Sequence, residues 1–375
     1  MVYLDYSATT PTNDEVLESF VKCSKEYIGN PNSLHALGTK SLNLIESASR
    51  QISNLLNVNV SGIIYTSGAS ESNNLAIKGI CDKYKNRGKH IITTPLEHSS
   101  IYGPLDYLKE NGYEVDYVKI DENGLVDLEN LKNLLRNDTI LVSIACVNSE
   151  IGIIQNINEI AKIIKDYPKC FFHSDMTQAI GKVNVDISNV DLVSFSAHKF
   201  YGIKGIGVLI KKDKIELTPL IHGGKSTTNY RSGTPTLPLI VSLSKALRLS
   251  LNDIEKKYNY VLELNNYVKN ELSNLDKVVI NSNDKCIPHI LNLSILGVKP
   301  ETFQHALEKY DIYVSTQSAC SDTNSKSKAV FALTGDNEKA LSSIRISLSH
   351  LTTKEEIECF LEKFQSCYNE LTNLR

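Results

Sequence analysis

The sequence predicts an α/β fold: a large domain on a mostly parallel sheet covered by helices on both faces, and a smaller α+β domain after it. Three observations carry that prediction. Short continuous apolar runs alternate with segments of helical periodicity, the pattern of strands buried on both faces. Near residue 250 the texture changes to a long polar helix and then to mixed strands and helices. A length of 375 residues exceeds what one ordinary core holds, so about two domains are expected.

Taken in order, Thr12 with Glu15 three residues on forms a capping-box pattern, opening a helix with Leu17, Phe20 and Val21 on one face. Gly29-Asn30-Pro31-Asn32-Ser33 is turn chemistry, and a second helix carries Ile45, Ala48, Ile52, Leu55 and Leu56 at helical spacing. Residues 63–66 read as a strand and Ser70 to about Lys85 as a helix. Strands over 91–94, 113–120, 140–146 and 170–173 follow. Between them lie helices marked by Ile101, Leu105 and Leu108, by Leu128, Leu131 and Leu135, and by Ile157, Ile160 and Ile164. After a further strand near 192–195 and an apolar run at 208–210, one helix is expected from Leu237 to Asn274. Strands over 289–295 and 344–348 and helices over 301–310 and 354–371 complete the chain.

The composition, with 41% hydrophobic and 22% charged residues and a net charge of −3, offers no basic footprint for nucleic acid or a membrane surface. No apolar run reaches membrane-spanning length and the first residues lack the pattern of a signal peptide, so a cytoplasmic location is expected. The eight cysteines stand singly, without metal-ligand spacing, and read as reduced thiols. Gly224-Lys225-Ser226-Thr227 looks like the tail of a phosphate loop, but that pattern needs glycine where Pro219 stands.

Chemistry-bearing residues gather at the ends of the expected strands. Leu192-Val193-Ser194-Phe195-Ser196-Ala197-His198-Lys199 delivers a lysine at a strand end, where desolvation would make its amine nucleophilic; a surface lysine after a core strand is the plain alternative. Thr66-Ser67-Gly68-Ala69-Ser70-Glu71-Ser72-Asn73-Asn74 joins a strand to a helix start, which is either an anion cup or an ordinary turn. Asp175 after 170–173 can pair with a protonated pyridine nitrogen or cap a helix. His98 can stack on a flat cofactor and shuttle protons, or simply be a bonded loop histidine. Asn148 lies at another strand end, and in open α/β sheets ligands bind at that edge. Cys320 sits in a small, polar and therefore accessible stretch. Arg345, between apolar strand residues, suits a carboxylate or a structural ion pair.

With these residues assembled, the chain resembles the cysteine desulfurases of the aminotransferase class V family, pyridoxal-phosphate enzymes of fold type I. The resemblance runs through Tyr3-Leu4-Asp5-Tyr6-Ser7-Ala8-Thr9-Thr10, Gly29-Asn30-Pro31, Thr66-Ser67-Gly68-Ala69-Ser70-Glu71-Ser72, Glu97-His98, Asn148, Asp175 with Gln178, and Ser194-Phe195-Ser196-Ala197-His198-Lys199. It continues through Arg231-Ser232-Gly233-Thr234, Ser318-Ala319-Cys320 and Ser343-Ile344-Arg345. It implies a seven-stranded-type sheet in a large domain over 13–250, with 1–12 and 251–375 forming the small domain. It implies that Lys199 forms a Schiff base with pyridoxal 5'-phosphate and then moves the substrate Cα proton, while His98 stacks on the ring and assists. Asp175 would face the ring nitrogen and Gln178 the ring hydroxyl oxygen. Ala69, Ser70, Ser196 and His198 would hold the phosphate, with Thr234 from the other subunit of a homodimer. Asn148 and Arg345 would position the carboxylate of L-cysteine, and Cys320 would take its sulfur as a persulfide for an acceptor protein serving iron–sulfur cluster assembly or tRNA thiolation.

Several positions depart from the family pattern: Gln317 where glycine is usual, Met176 for a small residue, Ser149 for asparagine, and Lys225-Ser226-Thr227 for Gly-Gln-Glu. The chain also ends at Arg375, short of the extension with which some relatives dock an iron–sulfur scaffold, so a dedicated acceptor is expected. Two other functions compete: a selenocysteine or other C–S lyase of the same family, and a cofactor-binding dimer that acts as an interaction module.

Overall fold

The structure is a computed structural model that describes residues 1–316 and 326–372. Its large sheet comprises β2 (Ile63–Thr66), β3 (His90–Thr93), β4 (Glu114–Tyr117), β5 (Thr139–Ser143), β6 (Phe171–Asp175), β7 (Leu192–Ser196) and β8 (Gly207–Lys211), while β1 (Val2–Tyr3) lies elsewhere. The spatial order is β2-β8-β7-β6-β5-β3-β4, and only β8 runs against its neighbours. The expected seven-stranded, mostly parallel sheet is therefore present.

Successive apolar residues of each strand serve opposite cores, because side chains alternate across a sheet. Ile92, Val142, Val193 and Val208 join one cluster with Val16, Ile45 and Ile52 from the first two helices and Leu243 and Leu247 from the helix Leu237–Leu251. Ile91, Leu141, Leu192 and Leu209 join another with Leu75, Ile77 and Ile80 of the helix Ala69–Tyr84 and Leu105 of the helix Ser99–Glu110. This explains why the strands read as unbroken apolar runs rather than as alternating ones.

A separate apolar cluster surrounds the antiparallel sheet β12-β10-β9, formed by β9 (Val278–Ile280), β10 (Ile290–Ile295) and β12 (Ser343–Ser347). It takes Val261 and Val268 from the helix Ile254–Leu272, Phe303 from Pro300–Glu308 and Phe360 and Phe364 from Lys354–Thr372. Val2 and Leu4 belong to the same cluster, since β1 pairs with β11 (Ile312–Tyr313). Beyond it the first residues cross to the large sheet, where the Thr10 N–H donates to His198 O at 2.9 Å and Asn13 N–H to Tyr201 O at 3.0 Å. Among the described residues no helix is long and apolar enough to cross a membrane.

Two expectations need correction. The helix expected from Leu237 to Asn274 is two, Leu237–Leu251 and Ile254–Leu272, broken where Asn252 is extended and Asp253 is left-handed with φ 52°. Each half packs on a different cluster, and Asp tolerates the left-handed turn that redirects the chain. The first helix is capped by Asn13, whose Oδ1 accepts the Glu15 N–H at 2.9 Å, and not by Thr12. It buries Val16 and Cys23, leaving Leu17 48% and Val21 40% exposed. Val16, Phe20 and Cys23 are the residues with i, i+4, i+7 spacing that this cap turns toward the core.

Candidate active site

At the C-terminal edge of the parallel strands lies a cavity of about 480 Å³. Lys199 reaches it from a single 3-10 turn, Ala197–Lys199, immediately after β7. The turn is tight: a Cβ on Gly202 would meet Ala197 Cβ at 2.6 Å, so glycine is required there. Lys199 Nζ donates to Ser7 O at 2.6 Å and Ala8 O at 2.8 Å, so the N-terminal segment forms part of the wall around the amine.

Asp175 ends β6, buried, with Oδ1 accepting the Thr177 N–H at 2.9 Å and Oδ2 accepting from Asn73 Nδ2 at 2.8 Å. The same Asn73 amide donates to Ser100 Oγ at 2.9 Å. His98 caps the helix Ser99–Glu110, its Nδ1 accepting the Ser100 N–H at 3.1 Å and lying 2.9 Å from Ser100 Oγ. Nδ1 is thereby the acceptor and the ring proton belongs on Nε2. Burial is the largest cause holding the His98 pKa below its ordinary value; Asp175 opposes it, and Lys199 and Arg345 reinforce it. Behind the histidine, the fully buried Glu97 carboxyl accepts the Ala145 N–H at 3.0 Å and the Thr94 hydroxyl at 2.7 Å, joining the ends of β3 and β5. Burial pushes its pKa up to about 8.

The helix Ala69–Tyr84 points its first turn at the cavity, and Gly68 at its N-cap supplies no side-chain cap. Ala69, Ser70, Ser196 and His198 all line the cavity there. Burial, and next Lys199, bring the His198 pKa down to about 4, so its imidazole is neutral and Nδ1 lies 3.2 Å from Thr9 Oγ1. Gln178 donates through Nε2 to Ser7 O at 2.9 Å and accepts at Oε1 from Lys182 Nζ at 2.6 Å. On the opposite wall Arg345 of β12, 1% exposed, donates through Nη2 to Asp5 Oδ1 at 2.8 Å and through Nη1 to Ser149 O at 2.9 Å.

Residues 2–360 match the family model described as aminotransferase class-V. The chain belongs to the aminotransferase class-V family. It is 39% identical to a protein of Dictyoglomus turgidum named cysteine desulfurase IscS, over all of this chain and 96% of that one. A solved structure titled "NIFS-LIKE PROTEIN" superimposes with a TM-score of 0.93 at 35% identity, covering 99% of this chain and 100% of the other. Another, titled "SspA in complex with cysteine", gives a TM-score of 0.83 at 31% identity, covering 94% and 100%.

The family's enzymes use pyridoxal phosphate, and this cavity suits it. It offers an amine for the aldehyde, a buried carboxylate for a ring nitrogen, and an uncapped helix start for the phosphate. Among the described residues the buried Thr177 Oγ1 in the cavity wall has no hydrogen-bond partner, which suits it to a ligand.

Of the residues proposed from sequence, the structure brings Lys199, His98, Asp175, Gln178, Ala69, Ser70, Ser196, His198 and Arg345 to this one cavity. Asn148 is not among its lining residues. Its Oδ1 accepts the Glu150 and Ile151 N–H groups at 3.0 and 2.6 Å and its Nδ2 holds Leu96 O at 2.7 Å, so it shapes the loop that presents Ser149. Thr234 is exposed and does not line the cavity of its own chain. Cys320 and Gln317 lie outside the described residues. Sequence reasoning gave no role to Asn73, Ser100, Ser7 or Lys182, although Asn73 and Ser7 stand inside stretches it singled out. Lys182 left a signal of another kind, a lone charge closing the largely apolar run Met176-Thr177-Gln178-Ala179-Ile180-Gly181.

Proposed function

We propose that this chain is a cysteine desulfurase that converts L-cysteine to L-alanine and carries the sulfur away as a persulfide on Cys320. The observation that carries the reading is the convergence of Lys199, Asp175, His98 and Arg345 on one cavity in a chain alike, end to end, to relatives bearing that name. Pyridoxal phosphate, when bound, supplies an electron sink for the substrate Cα.

The protein's own groups do the rest. Lys199 holds the cofactor and moves the Cα proton, with its amine guided by the Ser7 and Ala8 carbonyls. Asp175 would hold the ring nitrogen in its protonated form, and Asn73 and Thr177 keep that carboxylate aimed. His98 would pack against the ring with a neutral imidazole, and Gln178 would serve the ring oxygen. Ala69, Ser70, Ser196 and His198 would bind the phosphate, joined by Thr234 of a second subunit in a homodimer. Arg345 takes the substrate carboxylate, and Asn148 holds the loop beside it. The Cys320 thiolate attacks the substrate sulfur, forming an S–S bond as the C–S bond breaks. The electron pair of the C–S bond passes to the substrate carbon, which is protonated and leaves as alanine.

The anchoring of both flanks of the Cys320 segment near Arg345 supports this role. Ser315 exchanges backbone hydrogen bonds with Arg345 at 3.1 and 2.7 Å, and the Ser327 hydroxyl donates to Glu150, next to Ser149. A division into a large domain over 13–250 and a small one from 1–12 and 251–375 is supported by the cluster around β9, β10 and β12, whose residues all fall in the second part, while Ile287 and Ile290 of that part pack with the large sheet. We place the enzyme in the cytoplasm, passing sulfur to an acceptor protein for iron–sulfur assembly or tRNA thiolation.

The test is alanine release from L-cysteine with dithiothreitol, wild type beside Cys320→Ala. Alanine from the wild type alone is the expected result. Equal release by both would sink the persulfide step, and none from either would sink the activity.

A further inference from the structure

Lys182 is buried, and among the described residues no carboxylate lies within ion-pair reach of it. A lysine without a counter-ion is costly to bury, and among the described residues its one side-chain hydrogen-bond partner is Gln178 Oε1 at 2.6 Å. The chain makes the contact possible by a tight turn. Gly181, with φ +77°, has Phe200 Cβ 2.8 Å from where its own Cβ would be, and it folds Lys182 back over the residue four before it. The cations Lys199 and Arg345 face Lys182 from the cavity side, and His198 and the buried His289 feel its charge. On its other side a second cavity of about 410 Å³ is lined by Glu255 and Tyr258. Burial first, then Lys199 and Arg345, bring its pKa down to about 7.

The amide of Gln178 has two chemically distinct ends, and its neighbours discriminate between them. Lys182 Nζ donates, and Ser7 O can only accept, so Oε1 faces the lysine and Nε2 faces the carbonyl that Lys199 also uses. Turning the amide over would set donor against donor at one end and acceptor against acceptor at the other. Without Lys182 only the Ser7 bond would resist that turn.

We infer that Lys182 is a positioning residue: by holding Gln178 Oε1 behind the cavity wall it keeps the Nε2 donor facing the cofactor site. The inference rests on the reading above that Gln178 faces the ring oxygen. A donor there steadies negative charge on that oxygen, and an acceptor in its place favours retention of the neighbouring proton. Lys182 therefore shapes the proton affinity of the bound cofactor without touching it.

The experiment is a pH titration of the visible absorption band in cofactor-loaded wild type, Lys182→Met, Gln178→Ala and the double variant. Lys182→Met is expected to raise the titration midpoint by about one pH unit, and that shift should vanish in the Gln178→Ala background. A shift that persists there would show Lys182 acting as a charge and overturn the positioning role. An unchanged midpoint with a lowered unfolding temperature would make the lysine a structural plug and overturn it too. An unchanged band in Gln178→Ala alone would instead remove the premise that Gln178 faces the ring. A second measurement needs no Lys182 variant to fold. In apo wild type labelled with 15N-glutamine, the side-chain amide assigned by its loss in Gln178→Ala should titrate with a midpoint of about 7, that of Lys182. A flat response from about pH 5 to about pH 11, a range that also spans the ordinary lysine value of about 10.4, would overturn the contact.

Discussion

His98 and Arg345 face the same cavity, but their partners are of different kinds. His98 ends a continuous run of hydrogen bonds through the uncharged side chains of Ser100 and Asn73 to the Asp175 carboxylate, drawn from two helices and a strand. Arg345 is held by a side-chain carboxylate, Asp5, and by one loop carbonyl, and its buried Nε meets no partner among the described residues. The first arrangement is complete before anything binds, as suits groups that hold a resident cofactor. The second leaves a donor open and uses a carboxylate where a substrate carboxylate would compete, as suits groups that must exchange partners at every turnover.

The largest effects should separate these two walls. Arg345→Lys removes the planar fork, so KM for L-cysteine is expected to rise on the order of 100-fold while the absorption band of the bound cofactor stays in place. Asp175→Asn should do the reverse, lowering kcat by about 10²-fold or more with a visible change in that band. Steady-state kinetics beside spectra decide it, and matching signatures from both variants would abolish the distinction.

Asn73→Ala sharpens the description of the first wall. It strips one donor from Asp175 and one from Ser100, a cost of about 1–3 kcal/mol, read as roughly tenfold weaker cofactor retention on dialysis. Retention equal to wild type would show that the run is not needed to aim Asp175.

The pH profile offers a subtler contrast. His98 is neutral above its lowered pKa, so activity that needs the neutral ring is retained at pH 7 and through the ordinary histidine value of about 6.5, and is lost only as pH falls through that lowered pKa. Asp175 raises that pKa and Arg345 lowers it. The acid limb of kcat/KM should therefore move to lower pH in Asp175→Asn and to higher pH in Arg345→Gln. Shifts of the same sign in both variants would contradict this electrostatic picture.

The smallest effect is expected from Glu97→Gln. Burial already keeps this carboxyl largely protonated near neutrality, so the neutral amide should change the unfolding free energy by less than about 1 kcal/mol. Glu97→Ala leaves the Ala145 N–H and the Thr94 hydroxyl unpaired and should cost about 1–3 kcal/mol in denaturant titrations.

Much of the site was legible because parallel sheets deliver their strand ends to one edge. Asp175 and Lys199 follow β6 and β7 directly, and His98 lies a few residues beyond β3, so reading strands was enough to gather them. The role of Asn73 was illegible because its partner Asp175 is 102 residues away, and one asparagine among several polar residues at a helix start carries no mark of burial. Asn148 shows a related limit. Its place at a strand end is right for a ligand, but the loop needed its amide for the backbone. The break at Asn252-Asp253 was hidden because helical periodicity runs through both halves and does not say that each faces a different core.

By itself, then, the sequence determined the alternation of strands and helices, the order of the chemical groups along the chain and the family they resemble, all of which are local patterns of burial and spacing. Only the tertiary structure decided which groups share a hydrogen bond: Ser7 O with Lys199 and Gln178, Asp5 with Arg345, Lys182 with the far side of an amide. Such pairings depend on ångström-scale distances between segments brought together by packing, and hydrophobic periodicity specifies which face of a segment is buried without specifying what it meets.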